Sequence, residues 1–413
     1  MSPVPPLHRG LFATGVLLGL MAEQVVMFAV PLLIFQDTNE VSSLGFAFAL
    51  EWLPGLIAYP FAGLIADRDG GARLFSVVSG GRAVVLVVVA ALCLAQPSWT
   101  TAILMTSGAV LSVLVAPVRM SVEKMVPLLA EGEKMARTQA LVQNMELLAM
   151  ALGPALAMLA ATLLGKVWLL AVAGSVFAVA AACWLPLPRG VRQPAAGSSR
   201  AVFQELALGW SLLIKNRPVL LLGMVNFAIN LAVAAMLSAN AALVTGVFKA
   251  PDSAFALLNT CVGVIGFLNL MVIPVLLKRF DVHFLGGLGF SLLCGALLLT
   301  GVVGSFVGYA VFFVAALTGV AYYNVFNRTQ RVRVIAKEHL GKVMGPFYLL
   351  NLLSYPIAGL LVGSVGAAFG PQRLILVLAV CLTGFGAVFL PLTMRSFRRS
   401  LVDGEEVPVG VQA

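Results

Sequence analysis

Charged side chains are scarce in this sequence, and their scarcity limits where the chain can fold. Asp, Glu, Lys and Arg make up only 10% of the 413 residues, whereas hydrophobic residues make up 61%. A soluble domain has about 25% charged residues. So few charged groups could not cover the apolar surface of a water-soluble fold of this length. The composition therefore indicates an integral membrane protein.

Side chains that bind metals or phosphates are also few. The three histidines, His8, His283 and His339, lie in predicted loops or at the edge of a span, and the five cysteines have no metal-binding or redox spacing. A transition-metal transporter needs soft or imidazole ligands inside the membrane. There is no phosphate-binding loop ending in Gly-Lys-Ser/Thr, and no polar segment is long enough for a soluble active site. These absences argue against a metal transporter, an ATP-driven pump and an enzyme, and we expect no cofactor.

Long apolar runs fill most of the chain. A helix satisfies its own backbone hydrogen bonds in hydrocarbon and crosses the bilayer in about 20 residues. Twelve such runs are found, at 11–36, 43–66, 74–96, 99–118, 138–164, 168–186, 217–247, 253–277, 284–303, 306–327, 343–366 and 371–394. The sequence therefore predicts an all-α integral membrane protein with twelve transmembrane helices.

The basic residues predict its orientation. If both termini are cytoplasmic, all but four of the 26 Lys and Arg residues fall in cytoplasmic segments. The exceptions are Lys166, Lys249 and Arg373 on the outer side and Arg82 inside the third span. This asymmetry is the positive-inside pattern. It explains the net charge of +9 by attraction to an anionic leaflet, so a nucleic-acid partner is not expected.

The longest polar stretch divides the chain near its middle. It contains a flexible Pro-Ala-Ala-Gly-Ser-Ser run and then apolar residues at helical spacing, including Phe203, Leu206 and Trp210. This pattern is typical of an amphipathic helix on a membrane surface. The predicted organisation is an N-terminal six-helix half (1–186), a cytoplasmic linker with an amphipathic helix (187–216), a C-terminal six-helix half (217–395) and a cytoplasmic tail (396–413).

The segment between the second and third spans carries a motif. It reads Gly63-Leu64-Ile65-Ala66-Asp67-Arg68-Asp69-Gly70-Gly71-Ala72-Arg73, and it resembles the loop signature of the major facilitator superfamily. The alternative is an ordinary charged turn. The resemblance implies two six-helix halves related by an axis along the membrane normal and transport by alternating access. It gives Gly63, Asp67, Arg68, Gly70 and Arg73 the role of a cytoplasmic conformational latch. Gly71-Ala72 stand where two bases are common, so a weaker latch is expected.

Further motifs resemble the drug and siderophore exporter branch of that superfamily, which includes enterobactin and macrolide efflux proteins. The resemblance covers about residues 10 to 395, and its motifs are Gly19 and Glu23, Leu53-Pro54, Arg119, Val126-Pro127 and Gly153-Pro154. The Gly153-Pro154 element implies antiport rather than symport. Ala157 and Met158 stand where that element usually has paired glycines, which weakens the implication.

Three acidic residues, Glu23, Glu51 and Glu146, fall inside predicted spans. A carboxylate at such depth is costly and functional by default. Burial favours its protonated form, so it can take up and release a proton. We therefore expect Glu23, Glu51 and Glu146 to couple transport to protons. The alternative is a structural role, with Arg82 or Arg119 as a charge partner.

Polar and aromatic residues suggest where cargo binds. Trp52 is next to Glu51, Asn226 and Asn230 are one helical turn apart, and aromatic pairs include Tyr323 and Tyr348. We expect Glu51, Trp52, Asn226, Asn230, Tyr323 and Tyr348 to contact the cargo. Alternatively, the amides bond helix to helix, contributing roughly 0.6 kcal/mol each, and the aromatic rings pack in the core.

Two functions agree with these features. The first is a monomeric secondary exporter in the bacterial cytoplasmic membrane, exchanging protons for a small amphipathic molecule such as a siderophore or a drug. The second is a lipid or lysolipid transporter or flippase on the same fold. A sensor without transport is a third and weaker reading, because the latch motif and the embedded acids are features of transporters.

Overall fold

The computed structural model describes residues 6–69, 71–129, 133–188, 199–335 and 340–405, and all regular structure in these ranges is helical. The helices are α1 (Pro6–Thr38), α2 (Val41–Asp69), α3 (Ala72–Ala95), α4 (Thr100–Leu129), α5 (Glu133–Leu164), α6 (Trp168–Trp184), α7 (Ser199–Lys215), α8 (Arg217–Ala241), α9 (Asp252–Leu277), α10 (Val282–Thr300), α11 (Phe306–Val334), α12 (Leu340–Leu352), α13 (Ser354–Leu361), α14 (Ala367–Phe369) and α15 (Pro371–Glu405). A 3-10 turn (Pro97–Trp99) precedes α4, and π-helical segments follow α8 (Ala242–Val247) and α13 (Val362–Gly366).

Helices able to cross a membrane dominate the fold. Within the described ranges, 11 helical stretches are long and apolar enough to span a bilayer, and α6 is a shorter apolar helix of 17 residues. At 1.5 Å per residue α6 is about 25 Å long, slightly less than a hydrocarbon core of about 30 Å. The predicted all-α membrane fold is confirmed. The exact count of twelve spans and the cytoplasmic termini stay predictions.

Several helices continue beyond the predicted spans. The sequence predicts that the fourth span ends at residue 118 and the tenth at residue 327, whereas α4 continues to Leu129 and α11 to Val334. The basic residues that mark the predicted ends, among them Arg119 and Arg331, therefore stand on helices. The physical reason is that a helix forms its backbone hydrogen bonds in water as well as in lipid. A charged residue therefore marks where the chain reaches the membrane surface, and the helix can continue beyond it.

The chain forms two compact units. The first comprises Met1–Ser198, Ser238–Leu268 and Gly359–Pro371, and the second comprises Ser199–Leu237, Asn269–Ala358 and Gln372–Ala413. The first unit thus combines the first six helices with the end of α8, most of α9 and the segment around the second π-helix. The second unit includes α7, which lies in the predicted linker and packs against α12. The division into two sequence halves stays a prediction.

The buried side chain of Trp184 joins three helices of the first unit. The ring centroid of Trp184 on α6 is 3.8 Å from that of Phe75 on α3 and 5.2 Å from that of Phe12 on α1. Its indole Nε1 donates to the Phe12 carbonyl oxygen at 3.3 Å. A Cβ on Gly15 would collide with the indole ring, so only glycine leaves room for it. These contacts hold α1, α3 and α6 in one register.

Helix α2 crosses the second π-helix with the two backbones in contact, also inside the first unit. A Cβ on Gly45 would lie 2.5 Å from the carbonyl oxygen of Gly359 and would collide with the backbone of Gly363. A Cβ on Gly359 would lie 2.6 Å from the amide nitrogen of Ala49. The absence of side chains at three positions is therefore what permits this crossing.

A polar network joins three segments of the first unit near the ends of their helices. The Lys166 Nζ lies 2.5 Å from Asp252 Oδ2, and the Gln36 Nε2 donates to both carboxylate oxygens of Asp252 at 2.9 and 3.1 Å. The Lys166 side chain is 34% exposed. Because a partly exposed ion pair is worth only about 0–1 kcal/mol, this network orients the segments more than it stabilises them.

We predict that Gly45→Ala destabilises the protein and that Gly384→Ala does not. The added methyl group at Gly45 would meet backbone atoms that cannot move aside, whereas a Cβ on Gly384, inside α15, would meet nothing within 4 Å. Overpacking costs about 1–3 kcal/mol, whereas Ala is favoured over Gly in an open helix by about 0.8–1.0 kcal/mol. The check is the midpoint of thermal unfolding of the purified variants in detergent. An equal effect at both positions would contradict the backbone crossing.

Candidate transport site

A buried ion pair lies in the apolar interior of the first unit. The Arg82 guanidinium on α3 donates to Glu23 Oε2 on α1 at 3.2 Å, and the two side chains are 5% and 23% exposed. The guanidinium carbon also lies 4.2 Å from the ring centroid of Phe177 on α6. A charge buried in an apolar medium needs a counter-ion and hydrogen bonds. Glu23 on α1 gives Arg82 both, and Phe177 on α6 adds a cation–π contact.

The second embedded acid belongs to the same electrostatic environment. Glu51 on α2 is partly buried and interacts electrostatically with Glu23. A Cβ on Gly108 of α4 would lie 4.0 Å from the Cβ of Glu51, so the acid lies against α4. One turn later the amide nitrogen of Gly55 donates to Ser112 Oγ at 2.9 Å. The structure thus pairs Glu23 with Arg82 and leaves Glu51 within electrostatic range of Glu23, and we call these three residues the acid–arginine cluster.

Three other residues expected at this site are exposed or only partly buried. Trp52 is partly buried and its ring centroid is 6.2 Å from that of Phe48. Glu146 on α5 and Arg119 on α4 are both exposed. The structure assigns Arg82 as the partner of Glu23.

The Gly153-Pro154 element of α5 packs on the helix that carries Glu23. Both residues are buried, and a Cβ on Gly153 would collide with the side chain of Gln24, the residue next to Glu23. Pro154 lies inside α5, where it removes a backbone hydrogen bond. The element therefore lets α5 approach α1 closely, beside the ion pair.

The latch motif lies mostly outside the described side chains. Gly63, Asp67 and Arg68 belong to α2, but their side chains and the whole of Gly70 lie outside the described part of the structure. Arg73 is exposed in the first turn of α3. Before it, Gly71 has φ +98°, and a Cβ there would lie 3.0 Å from the carbonyl oxygen of Ser121 on α4. The turn needs glycine at this position, and the contacts of the latch stay a prediction.

An amide chain ties three helices of the second unit together. The Asn327 Nδ2 on α11 donates to Asn226 Oδ1 on α8 at 2.7 Å, and the Asn226 Nδ2 donates to Asn351 Oδ1 on α12 at 2.7 Å. The Asn351 Nδ2 then donates to the Phe347 carbonyl oxygen at 2.6 Å. Asn230 is only partly buried. Asn226 is therefore linked to two asparagines on other helices.

One of the two candidate tyrosines, Tyr348, contacts Arg331, a basic residue that follows the predicted tenth span. The Arg331 guanidinium on α11 donates to the Tyr348 hydroxyl on α12 at 3.2 Å and lies 5.0 Å from the ring centroid of Phe347. Tyr323 is completely buried on α11 and interacts electrostatically with Arg331. The spacing of Tyr323, Asn327 and Arg331, four residues apart, is the sequence signal that points to a shared helix face.

We predict that Glu23→Gln destabilises the protein more than Lys166→Gln does. Losing Glu23 leaves the charge of Arg82 buried without compensation, which costs about 3 kcal/mol, at the lower end of the range because Glu23 is partly exposed. Lys166→Gln removes a partly exposed pair worth about 0–1 kcal/mol. Thermal unfolding in detergent measures the difference, and the double variant Glu23→Gln/Arg82→Gln should recover part of the loss. Equal midpoints for the two single variants would contradict a buried ion pair.

Comparisons with known proteins agree with this architecture. The sequence model of the Major Facilitator Superfamily matches residues 12–359. The fold is similar to the crystal structure of the nucleoside transporter NupG (TM-score 0.75, 14% identity, covering 94% of this chain and 99% of that chain). It is also similar to a POT family transporter in complex with a thioalcohol-conjugated peptide (TM-score 0.73, 12% identity, 94% and 96% covered). A third similar structure is a bacterial homologue of the human lysosomal transporter Spinster (TM-score 0.69, 14% identity, 96% and 99% covered).

No curated protein matches the sequence at a significant level, and identities this low show the fold alone. The match to the family covers most of the chain and confirms the resemblance to the superfamily, with a transporter and not an enzyme as the consequence. The chain belongs to the Major Facilitator Superfamily.

Proposed function

We propose that this transporter exports a small amphipathic molecule, such as a siderophore or a drug-like compound, in exchange for protons. We place it in the bacterial cytoplasmic membrane as a monomer working by alternating access. The observation that carries the proposal is the acid–arginine cluster of Glu23, Glu51 and Arg82 inside the first unit.

The charges of the cluster support coupling to protons. Arg82 supplies one positive charge, whereas Glu23 and Glu51 supply two negative charges when both are ionised. Neighbouring carboxylates resist being ionised together, and Arg82 is hydrogen-bonded to Glu23. Glu51 is then the group whose charge is left unbalanced, and binding one proton makes the cluster neutral. A group of this kind suits proton transfer between the two sides of a membrane.

Antiport adds a requirement, namely that the proton and the cargo disfavour each other's binding. Such a coupling is reciprocal, so one group must respond to both ligands. Glu51 meets this requirement because it belongs to the cluster and has Trp52, an aromatic residue, beside it in the sequence. The packing of Gly153 on Gln24, next to Glu23, supports the antiport reading because a shift of α5 would act directly on the helix that carries the acid.

Tyrosines of the second unit support a cargo with both polar and apolar parts. Tyr323 and Tyr348 offer hydroxyl groups beside the aromatic rings of Phe326 and Phe347, whereas the amide of Asn226 already bonds to two other helices. The structurally similar proteins are named for different cargoes, among them nucleosides and a peptide. These names therefore do not identify the cargo of this chain. The proposed cargo class rests on the side chains of the site.

We predict that Glu51→Gln and Glu23→Gln abolish cargo efflux driven by a pH gradient. Each change removes a titratable group from the acid–arginine cluster. Efflux of a fluorescent amphipathic dye from proteoliposomes, with and without an imposed gradient, measures the coupling. The matched control is Glu40→Gln, the same chemical change at an exposed residue between α1 and α2, which should respond to the gradient as the parent does. If both cluster variants still respond like the parent, protons are coupled elsewhere, with Glu146 next to be tested, or do not drive transport.

The latch motif supports a second part of the proposal. We place Gly63, Asp67, Arg68, Gly70 and Arg73 in a cytoplasmic latch that holds one conformational state. The tight turn at Gly71, packed against α4, supports this role because it fixes the path of the chain between α2 and α3. A carboxylate at Asp67 is stabilised by about 0.3–1 kcal/mol if it lies at the positive end of a neighbouring helix.

We predict that Asp67→Asn shifts the balance between inward-open and outward-open states and leaves cargo affinity for each state unchanged. The substitution removes charge from the latch and does not alter the acid–arginine cluster. Accessibility of single engineered cysteines to a membrane-impermeant thiol reagent reports the states, and equilibrium dye binding reports the site. The control is Asp69→Asn, the same change two residues later. Lost binding with unchanged accessibility would contradict the latch.

A further inference from the structure

The second unit contains a buried cation for which the described residues provide no carboxylate. Arg331 is 6% exposed. Among the described residues, the groups that act electrostatically on Arg331 are Tyr348, Arg328 and Tyr323, none of which is a carboxylate. Arg82, which is also buried, differs from Arg331 because it pairs with Glu23.

Two buried hydrogen-bond donors, one of them on the Arg331 guanidinium itself, lack a partner in the described part of the structure. Within the described ranges, the Arg331 Nε and the Tyr323 hydroxyl are both buried and have no hydrogen-bond partner. Unsatisfied buried donors are uncommon, and each one calls for an explanation. The Tyr348 hydroxyl accepts a hydrogen bond from Arg331 at 3.2 Å and keeps its own proton available for donation.

The position of Arg331 argues against an ordinary arginine at a membrane surface. An arginine near the end of a span normally extends its guanidinium into water or among lipid headgroups. Here the guanidinium lies 5.0 Å from the ring centroid of Phe347 and 5.1 Å from that of Tyr348. Aromatic faces offset part of the cost of desolvation, but they do not provide the negative oxygen atoms that a planar guanidinium pairs with best.

The surroundings hold these donors in place. Tyr323 and Arg331 are eight residues apart on α11, so they stand on the same face of the helix, and the two side chains interact electrostatically. The amide chain from Asn327 through Asn226 to Asn351 joins α11, α8 and α12, and thereby fixes the helix of Arg331 against the helix of Tyr348. A fixed arrangement of donors lowers the ordering cost of binding.

We propose that Arg331, Tyr348 and Tyr323 form an anion-binding site in the second unit. Its ligand is an oxyanion, namely a carboxylate, phosphate or sulfonate group, carried either by the cargo or by an anionic lipid headgroup. The inference deepens the proposed function, on which it rests, because it gives the amphipathic cargo an acidic group. Charge-assisted hydrogen bonds from Arg331 and the two hydroxyl groups would bind that group.

The test is a binding measurement without a pH gradient, so that a failure of proton coupling does not affect it. Purified protein in neutral detergent is titrated with 2-naphthoate and with the neutral isostere 2-naphthamide, and thermal unfolding is recorded. We expect 2-naphthoate alone to raise the unfolding temperature. Arg331→Gln should weaken its binding at least about tenfold, and Tyr348→Phe should weaken it about three- to tenfold, as expected for losing a charge-assisted or a neutral hydrogen bond. Arg331→Lys should keep part of the preference for the anion and serves as the second variant if Arg331→Gln does not fold.

The control is Arg328→Gln, which removes the same charge from an exposed position one turn earlier on α11; because Arg328 acts on Arg331 only electrostatically, it should weaken binding less than Arg331→Gln does. A second arm compares nanodiscs of phosphatidylcholine with nanodiscs that also contain phosphatidylglycerol. Stabilisation by phosphatidylglycerol that is lost in Arg331→Gln, without any response to 2-naphthoate, supports the site and assigns it to a lipid headgroup. Equal responses to the naphthoate and the naphthamide together with no lipid effect, or equal losses in Arg328→Gln and Arg331→Gln, would overturn the proposal.

Discussion

The first unit depends on how a positive charge is accommodated in an apolar interior. Apolar side chains can pack against one another in many arrangements, but a buried guanidinium is stabilised best by a carboxylate at hydrogen-bonding distance. Arg82 on α3 finds this carboxylate in Glu23 on α1 and an aromatic face in Phe177 on α6. The same three helices meet again at Trp184. The ion pair and the aromatic contact together allow only one register of α1, α3 and α6.

The two units treat buried charge in different ways. The first contains two embedded acidic side chains and an arginine that pairs with one of them. The second joins its helices through neutral amides, and the charge of Arg331 has no carboxylate among the described residues. If the first unit binds protons and the second binds an anion, as proposed above, the protein would suit the exchange of protons for an acidic amphipathic solute. This difference between the units follows from the partners of their buried arginines.

Much of the fold could be predicted from the sequence because a chain in hydrocarbon must form all its backbone hydrogen bonds internally, and long apolar helices do so. Apolar runs locate the spans, and Arg82 inside the third run indicates a buried partner. The sequence could not identify that partner among three acids, since α1 and α3 are brought together only by packing. It also could not assign Arg331 to a helix, because a charge at the end of a run marks the membrane surface, whereas α11 continues to Val334. Asn226 and Asn230 share a helix face, yet the hydrogen bonds of Asn226 go to residues 101 and 125 positions away.

In the proposed alternating access, contacts that form and separate should be weak and easily repeated. In the crossing of α2 with the second π-helix, Gly45, Gly359 and Gly363 bring backbone against backbone, with the ring of Phe46 beside Gly363. The polar network at Asp252 adds only a weak, partly exposed ion pair. Two states of nearly equal free energy can be interchanged by modest differences in ligand affinity. The contacts around Arg82 and Trp184 lie within the group of α1, α3 and α6, whereas the glycine crossing joins α2 to the second π-helix, so a movement that opened the crossing would leave the contacts within that group unbroken.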